Sequence, residues 1–317
     1  MYTLIVMDYI IFDLEWNQCP EGKEFENKSL PFEILEIGAV KLDSEYREIS
    51  RFSERVRPVV YKTMHFRTRE ILHMDMDMLK NARTFPDVFR DFLIWCGKTA
   101  RFCTWGSLDL YELQRNLCYH GLENPFRVPL KFFDIQKIFS IIYEDRKTRR
   151  SLEYAADFLH VSGSMPFHSA LNDAIYTAEI LKHLSPEDVL KNFSIDYYQN
   201  PKSRKEEIYA VYDTHSRFIS REFLSKNQTM KDWKVTSTKC CLCQKNARRK
   251  IRWFSTGNNN YYSLSFCEKH GWLGGKIHIK KTLEGKYFCI KTLKLMSDTE
   301  AEEIRLRKET LKKKRRG

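Results

Sequence analysis

The feature of the sequence that most constrains its fold is an ordered set of carboxylates and one histidine, each placed where a strand ends or a helix begins. The apolar run Tyr9–Asp13 is typical of a buried strand, and the carboxylates of Asp13 and Glu15 stand at its end. Side chains two residues apart in a strand point to the same face, so both carboxylates are expected to project together. A carboxylate beside apolar strand residues is costly unless a cation or a partner meets it. The pair alone fits either an exposed strand end or one side of a cation site.

Three further residues extend this set along the chain. Asp109 falls in the first turn of a predicted helix, and Asp173 lies on a later helix that His168 precedes by a short loop. Each residue alone has an ordinary interpretation, since an acidic residue suits the first turn of a helix and surface histidines are common. Their order and their placement beside strands and helices together predict one site.

The spacing of apolar residues predicts an α/β domain with a mixed central sheet flanked by helices. Gly38, within the second strand, indicates a place where another part of the chain approaches closely. Strands are predicted at 9–13, 34–42, 48–56 and 101–105, and helices at 87–96, 107–119, 133–143, 151–159 and 170–184.

Four segments, YIIFDLEWNQ, FEILEIGAVKLD, TWGSLDLYELQRNL and FHSALNDAIYTAEI, resemble the successive motifs of the DEDD-type 3′→5′ exonucleases of the ribonuclease-H-like superfamily. The H-x4-D spacing is that of the histidine subgroup, because Ser169 stands where the other subgroup carries tyrosine. Glu33–Glu36 and the Trp105-Gly106 pair resemble the branch of histone-mRNA 3′ exonucleases and sporulation-inhibitor-like exonucleases. The resemblance covers residues 8–184.

This resemblance implies a metal-dependent 3′→5′ exonuclease that prefers single-stranded RNA and releases nucleoside 5′-monophosphates. Asp13, Glu15, Asp109 and Asp173 would ligate two Mg²⁺ or Mn²⁺ ions, which prefer oxygen donors and clamp the attacking and leaving oxygens. His168 would act as general base, a role for which histidine is the residue most often used. Two alternatives remain open: a single-stranded DNA exonuclease of proofreading or repair type, and a non-catalytic nucleic-acid-binding protein on the same fold.

The charge of the chain is concentrated in its second half. Residues 186–317 carry 30 Lys and Arg against 15 Asp and Glu, whereas residues 1–185 carry 24 against 27. This asymmetry favours a catalytic body joined to a part that binds polyanions, although a solvated basic face would give the same pattern. The predicted domains are an exonuclease domain at 1–185, a helical connector at 186–238, a zinc-binding basic module at 239–296 and a basic C-terminal helix or tail at 297–317.

Two short metal-ligand motifs occur in the basic half. Cys240 and Cys243 form one pair, and Cys267 and His270 form the other, with 23 residues between the pairs. This spacing is typical of a structural Cys₃His zinc site. The sequence therefore predicts one bound zinc ion in a small α+β module.

Basic and aromatic residues alternate between the two zinc motifs. Arg252 and Trp253 are predicted to bind single-stranded nucleic acid, the cation to phosphate and the ring to a base. The alternative is that the aromatic residues form the core of the module. Trp16, directly after the first acidic pair, is a further predicted substrate-binding residue that could instead pack on the second strand. The Gly257–Asn260 segment predicts a hairpin turn.

The cellular setting is predicted to be the cytoplasm. The chain has nine cysteines, an odd number, and its apolar start contains Asp8 and lacks the basic residues that open a secretory signal. No stretch approaches the roughly 20 apolar residues of a membrane span. The expected partner is nucleic acid, and no membrane association is expected.

Overall fold

A computed structural model describes residues 7–161, 163–282 and 284–314, and these residues form two units. The first unit ends at Tyr198 and the second begins at Gln199. The boundary therefore lies later than the position predicted after residue 185. Residues 186–195 add a helix and an edge strand to the first unit, which the charge asymmetry alone does not reveal.

A six-stranded mixed sheet is the frame of the first unit. The order of its strands is β3-β2-β1-β4-β5-β6, with β1 at Tyr9–Gln18, β2 at Phe32–Leu42, β3 at Glu48–Arg55, β4 at Arg101–Thr104, β5 at Lys131–Asp134 and β6 at Ser194–Ile195. β1 pairs antiparallel with β2 and parallel with β4. The predicted mixed α/β fold is thereby confirmed.

Helices cover both faces of this sheet. They are α1 (Phe66–Leu72), α2 (Phe85–Cys96), α3 (Leu108–Tyr119), α4 (Ile135–Tyr143), α5 (Leu152–Phe158), α6 (Ala170–Lys182) and α7 (Pro186–Lys191), with a 3-10 turn at Met76–Leu79. The buried residues of α2 and α3 pack with one face of β1, and those of α4, α5 and α6 pack with the other.

The alternation of β1 decides which face receives the carboxylates. Ile10 and Phe12 lie in the core formed with α2 and α3, whereas Tyr9 and Ile11 lie in the core formed with α4 to α6. Asp13 continues the second series, because it lies two residues beyond Ile11. The strand thus directs its acidic end toward the face that α6 covers.

Gly38 of β2 lies where the backbone of α6 crosses the sheet. A Cβ atom at this position would stand 2.0 Å from the backbone nitrogen of Leu171 and 2.1 Å from the carbonyl carbon of Ala170. Gly38 is also the register partner of Asp13 on the neighbouring strand. The close approach predicted at this glycine is confirmed, and its effect is to seat the start of α6 beside Asp13.

The second unit is built on a six-stranded sheet in the order β7-β8-β12-β11-β10-β9, in which all neighbours pair antiparallel. Its strands are β7 (Ile208–Val211), β8 (His215–Ile219), β9 (Arg248–Gly257), β10 (Asn260–Cys267), β11 (Gly271–Lys281) and β12 (Tyr287–Met296). Its helices are α8 (Lys226–Lys231), α9 (Trp233–Thr236) and α10 (Asp298–Lys314).

The predicted helical connector at 186–238 is wrong for most of its length. Within this connector the segment 203–224 contains β7 and β8 instead of a helix. Ile208 and Ala210 are buried while Tyr209 and Val211 are exposed, which is the alternation of a strand. β8 pairs with β12, so distant residues in the chain override the helical preference of the charged residues in this segment.

The predicted hairpin turn of the second unit is confirmed, and α10 begins with a second well-defined local feature. Asn258 and Asn259 have positive φ angles of 45° and 61° between β9 and β10, as a tight hairpin turn requires. At the start of α10 the amide of Glu300 donates to the Ser297 hydroxyl at 3.2 Å, and the amide of Ser297 donates to the Glu300 carboxylate at 3.0 Å. This reciprocal pair is a capping box. Residues 315–317 of the predicted tail lie outside the described residues.

Across the described ranges, no helix combines the length and apolar character needed to span a membrane.

The Gly38 contact predicts a large loss of stability on Gly38→Ala. Because the added methyl group would meet backbone atoms that cannot rotate away, β2 and α6 must separate, at a cost of roughly 3 kcal/mol. Urea unfolding, followed by amide hydrogen exchange of β1 and β2, measures this change. Gly163→Ala is the matched control, since a Cβ atom there meets only the Tyr176 hydroxyl at 3.9 Å. Equal stability of the two variants would contradict this account of the contact.

Candidate active site and candidate zinc centre

Three carboxylates from β1 and α6 form one cluster. Each of Asp13, Glu15 and Asp173 offers an oxygen atom, and these atoms all lie within 4.8 Å of one another. Asp13 and Glu15 project from the same face of β1, and Asp173 comes from the first turn of α6, which Gly38 allows to approach. The structure thus brings together residues that are 160 positions apart in the chain (173 − 13).

Asp109 lies beside this cluster in the first turn of α3 and is only 5 % exposed. β4, which precedes α3, runs parallel to β1, so the turn after β4 and the acidic end of β1 meet at the same edge of the sheet. Gly106 has a φ of 100° in that turn, a conformation that side chains rarely permit. The negative charge of Asp109 is close enough to raise the pKa of Asp13.

His168 lies over Asp173 at the entry to α6. Its backbone N–H is 3.3 Å from each carboxylate oxygen of Asp173, and its φ is 66°, which is uncommon for a residue with a side chain. Its side chain is 50 % exposed, with Nε2 3.6 Å from Oε1 of Glu153 on α5. His168 is therefore within reach of solvent and beside the carboxylate cluster.

All four carboxyl groups have pKa values above their ordinary range. Burial is the main cause, followed by the repulsion of neighbouring carboxylates for Asp13 and Glu15. The pKa rises to about 8 for Glu15, about 7 for Asp109 and about 6 for Asp173, and that of Asp13 is raised well above its usual value. Negative charge is disfavoured here unless a cation compensates it. Hard oxygen donors gathered in this way fit divalent Mg²⁺ or Mn²⁺.

Glu36 is a fifth carboxylate at the site. It faces Glu15 across the β1–β2 pairing, and the Ser169 hydroxyl donates to it at 3.5 Å. Burial raises its pKa, and the charge of Arg55 opposes that rise. The segment containing Glu36 was noted for its resemblance, but a metal-site role was not predicted. Its place at the site follows from the register of β1 against β2, which sets Glu36 opposite Glu15. The sequence alone does not give that register.

Glu33, in the same strand, has a structural role. Its carboxylate accepts three backbone N–H groups, from Val59 at 2.5 Å, Val60 at 2.8 Å and Tyr61 at 2.8 Å. It therefore orders the segment that follows β3. The side chain is 2 % exposed, and these bonds satisfy its charge.

A second cluster of metal-ligand type lies in the second unit. The side-chain donor atoms of Cys240, Cys243, Cys267 and His270 all lie within 4.8 Å of one another. Sγ of Cys240 is 3.4 Å from Nδ1 of His270, and Sγ of Cys243 is 3.7 Å from Sγ of Cys267. A tetrahedral zinc ion with bonds of about 2.3 Å to sulfur would separate two sulfur atoms by about 3.8 Å. The predicted ligand set is thus assembled with spacing that fits zinc.

The backbone of both motifs holds these ligands in tight turns. The amide of Cys240 donates to the Lys245 carbonyl at 2.9 Å, and the amide of Gln244 donates to the Cys240 carbonyl at 3.0 Å. In the second motif the amide of His270 donates to the Cys267 carbonyl at 3.3 Å. Cys241 is buried but stands outside the four-residue cluster.

The three predicted substrate-binding residues differ in their surroundings. Trp16 packs on Phe32 with ring centroids 5.6 Å apart and follows a β-bulge after Glu15. The indole N–H of Trp253 donates to the Thr236 carbonyl at 2.9 Å, and its ring packs against the core beneath β11. Arg252 is exposed on β9. Packing thus gives Trp16 and Trp253 structural roles, and their contact with substrate stays a prediction.

The fold and the carboxylate set of the first unit define an exonuclease of the ribonuclease-H-like type. The RNase T exonuclease family model matches residues 10–181, more than half of the 317-residue chain. The chain belongs to this exonuclease family. No curated protein sequence gives a significant match to the chain.

Two solved structures support the same fold. One is the nuclease domain of 3′hExo, a DEDDh family member bound to rAMP, with a TM-score of 0.51, 20 % identity, and coverage of 61 % of this chain and 98 % of that chain. The other is a 3′-exonuclease in 3′-end-specific recognition of a histone mRNA stem-loop, with a TM-score of 0.50, 18 % identity, and coverage of 61 % and 89 %.

The raised pKa values predict that the metal-free first unit loses stability as pH rises. Glu15, with a pKa of about 8 in the folded protein against an ordinary 4.5, binds a proton that the unfolded chain releases. The contribution of Glu15 to the free energy of unfolding is therefore fully present below pH 4.5 and is lost as pH rises to about 8. Thermal unfolding of protein freed of Mg²⁺ and Mn²⁺ measures this slope. Saturating Mn²⁺ should reverse the loss, and Glu15→Gln should flatten it; an unchanged slope in that variant would contradict the assignment.

The four-ligand cluster of the second unit predicts about one tightly held zinc ion per chain. Elemental analysis of protein purified without chelator measures the content. Cys243→Ser should lose the metal and destabilise the second unit, because a structural site contributes folding energy. Cys118→Ser is the matched control, since Cys118 is an exposed cysteine in the first unit. Protein that contains no zinc before any chelator is added would refute the site.

Proposed function

We propose that the chain is a metal-dependent 3′→5′ exonuclease that removes nucleoside 5′-monophosphates from the 3′ end of single-stranded RNA. One observation carries the proposal: oxygen atoms of Asp13, Glu15 and Asp173 gather within 4.8 Å. Buried Asp109 and exposed His168 lie beside them. Such a cluster carries an electrostatic cost that a bound divalent cation would offset.

The four carboxylates Asp13, Glu15, Asp109 and Asp173 are the proposed metal ligands. Two Mg²⁺ or Mn²⁺ ions held there would neutralise the charge that develops on the transferred phosphoryl group. The β1 strand fixes two of these ligands, and the first turns of α3 and α6 fix the others. Rigid elements therefore supply all four, so little reorganisation is needed before reaction.

His168 is the proposed general base. Its imidazole stands at the exposed side of the cluster, where it can accept a proton from the attacking water. The bond from its backbone N–H to Asp173 fixes the position of the residue relative to that carboxylate. The carboxylate of Glu153 stands 3.6 Å from Nε2 of this ring.

The preference for RNA and for the 3′ end is supported by the resemblance of the motifs and by the two structures with a similar fold. One of these holds rAMP, and the other recognises the 3′ end of a histone mRNA stem-loop. Their identity to this chain is 20 % and 18 %, so the substrate itself is a proposal.

The second unit is proposed to hold the nucleic acid. Residues 199–317 carry more than twice as many basic as acidic side chains, 29 against 12. Four of the basic residues, Arg248, Arg249, Lys250 and Arg252, are exposed along the edge strand β9. Such a row of cations suits the phosphates of a single strand.

A cytoplasmic location is part of the same proposal. All nine cysteines are free of disulfide bonds. Cys96, Cys103 and Cys289 lie in hydrophobic cores, and three other thiols belong to the zinc-type cluster. Reduced cysteines in these roles suit a reducing compartment.

The test is cleavage of RNA and DNA oligomers of equal sequence, each labelled at the 5′ end with a different dye, in one reaction with Mn²⁺. We expect stepwise shortening of the RNA from its 3′ end with release of mononucleotides, faster than that of the DNA. Preferential shortening of the DNA would replace RNA by DNA as the substrate, and release of internal fragments would contradict an exonuclease.

Asp13→Ala should lower the rate by more than about a thousandfold, because a proposed metal ligand is removed, while RNA binding is largely retained. Asp213→Ala is the matched control, since Asp213 is an exposed aspartate of the second unit. Full activity of the Asp13 variant would refute the assignment of the site.

A further inference from the structure

A basic loop, residues 146–150, joins α4 to α5 and contains Arg146, Lys147, Arg149 and Arg150. Hydrogen bonds connect this loop to one part of the carboxylate site, and the helix that follows it contacts another part. The carboxylates alone repel a polyanionic substrate, so a strand that reaches them needs cations nearby.

The first tie is to the turn that carries Asp109. The indole N–H of Trp105 donates to the carbonyl oxygen of Arg150 at 3.3 Å, and the side-chain amide of Gln136 donates to the same oxygen at 2.8 Å. Trp105 directly follows β4 and stands four positions before Asp109. The loop is therefore fixed to the turn between β4 and α3.

The second tie is to His168. α5 begins directly after the loop, and its Glu153 stands 3.6 Å from Nε2 of His168. The segment from Arg150 to Glu153 therefore contacts two parts of the site, the turn that carries Asp109 and the histidine.

The loop is ordered before any substrate binds. The Asp145 carboxylate accepts the backbone N–H groups of Lys147 at 2.8 Å and Thr148 at 2.6 Å, and the amide of Arg146 donates to the Ser140 carbonyl at 2.9 Å. A cation on such a loop is held in place at little entropic cost when a ligand binds.

The guanidinium groups of the two arginines at the end of the loop have different partners. The guanidinium of Arg150 pairs with Glu144 at 2.9 Å and lies 4.4 Å from the ring centroid of Tyr154. Arg149 is exposed and makes no ion pair with any residue that the structure describes. Its guanidinium donates to the Arg146 carbonyl at 3.2 Å. Its charge also opposes the rise that burial causes in the pKa of Asp134, a carboxyl whose own charge acts on Asp109, so the guanidinium lies near the carboxylate site.

We propose that Arg149 binds a phosphate of the substrate strand on the 5′ side of the bond that is cut. The inference rests on the proposed function and specifies how that site holds its substrate. Its guanidinium offers several N–H donors in the planar geometry that a phosphate matches. The contact lies outside the reacting atoms, so it contributes to binding and leaves the chemical step unchanged.

The experiment compares a ten-nucleotide RNA with a dinucleoside monophosphate, which has only the phosphate that is cut. Arg149→Gln should raise KM for the longer substrate roughly tenfold with kcat unchanged, and should leave both constants for the dinucleoside unchanged. Arg149→Lys should restore part of the loss. Unchanged KM for the longer RNA, or equal losses on both substrates, would overturn the inference.

The matched control is Lys98→Gln, which removes the same charge from an exposed residue that precedes the amino end of β4. Fluorescence anisotropy with the same ten-nucleotide RNA gives a readout that needs no catalysis. In this measurement Arg149→Gln should raise Kd roughly tenfold. It should also reduce the magnitude of the slope of log K against log salt concentration by ~0.7, the value for one phosphate contact on a single strand. Wild-type protein that binds but does not cut would refute the proposed exonuclease while leaving this binding test decisive for Arg149.

Discussion

The contact between the backbone of α6 and Gly38 is the constraint on which the first unit depends. Only a residue without a side chain lets the helix lie this close to β2, with a Cβ position 2.0 Å from the Leu171 nitrogen. This approach determines where Asp173 and His168 stand relative to Asp13. A wider spacing between helix and sheet would open the core that α6 forms with β1 and β2 and would separate the carboxylates.

The sequence was informative where chemistry and local pattern coincide. Asp13 and Glu15 share a face because side chains of a strand alternate every two residues. Asp109 lies near them because it follows β4, which is parallel to β1, and parallel strands bring their carboxyl ends to the same edge of a sheet. Glu36 and Glu153 were missed as parts of the site, because their proximity depends on strand register and on the packing of α5. Those relations come from contacts between distant segments, which spacing along the chain does not encode.

In the second unit, too, the sequence predicted the features that are local and missed those that depend on distant segments. Its zinc-type motifs could be predicted because each pair of ligands lies within one short turn, so local spacing alone identifies it. The segment that contains β7 and β8 was predicted as a helix, since its charged residues favour one and its pairing partner β12 lies far along the chain. Trp253, chosen for its basic neighbours, packs beneath β11. Composition indicates what a segment can bind, whereas the sheet decides which side chains remain free to do so.

The two ligand clusters share no donor type. One offers carboxylate oxygens and the other offers three sulfur atoms and one imidazole nitrogen. Hard ions such as Mg²⁺ and Mn²⁺ prefer the first kind of donor, and zinc prefers sulfur and imidazole, so the two clusters favour different metals. Depletion of zinc should therefore act on the second unit, and depletion of Mg²⁺ or Mn²⁺ on the first.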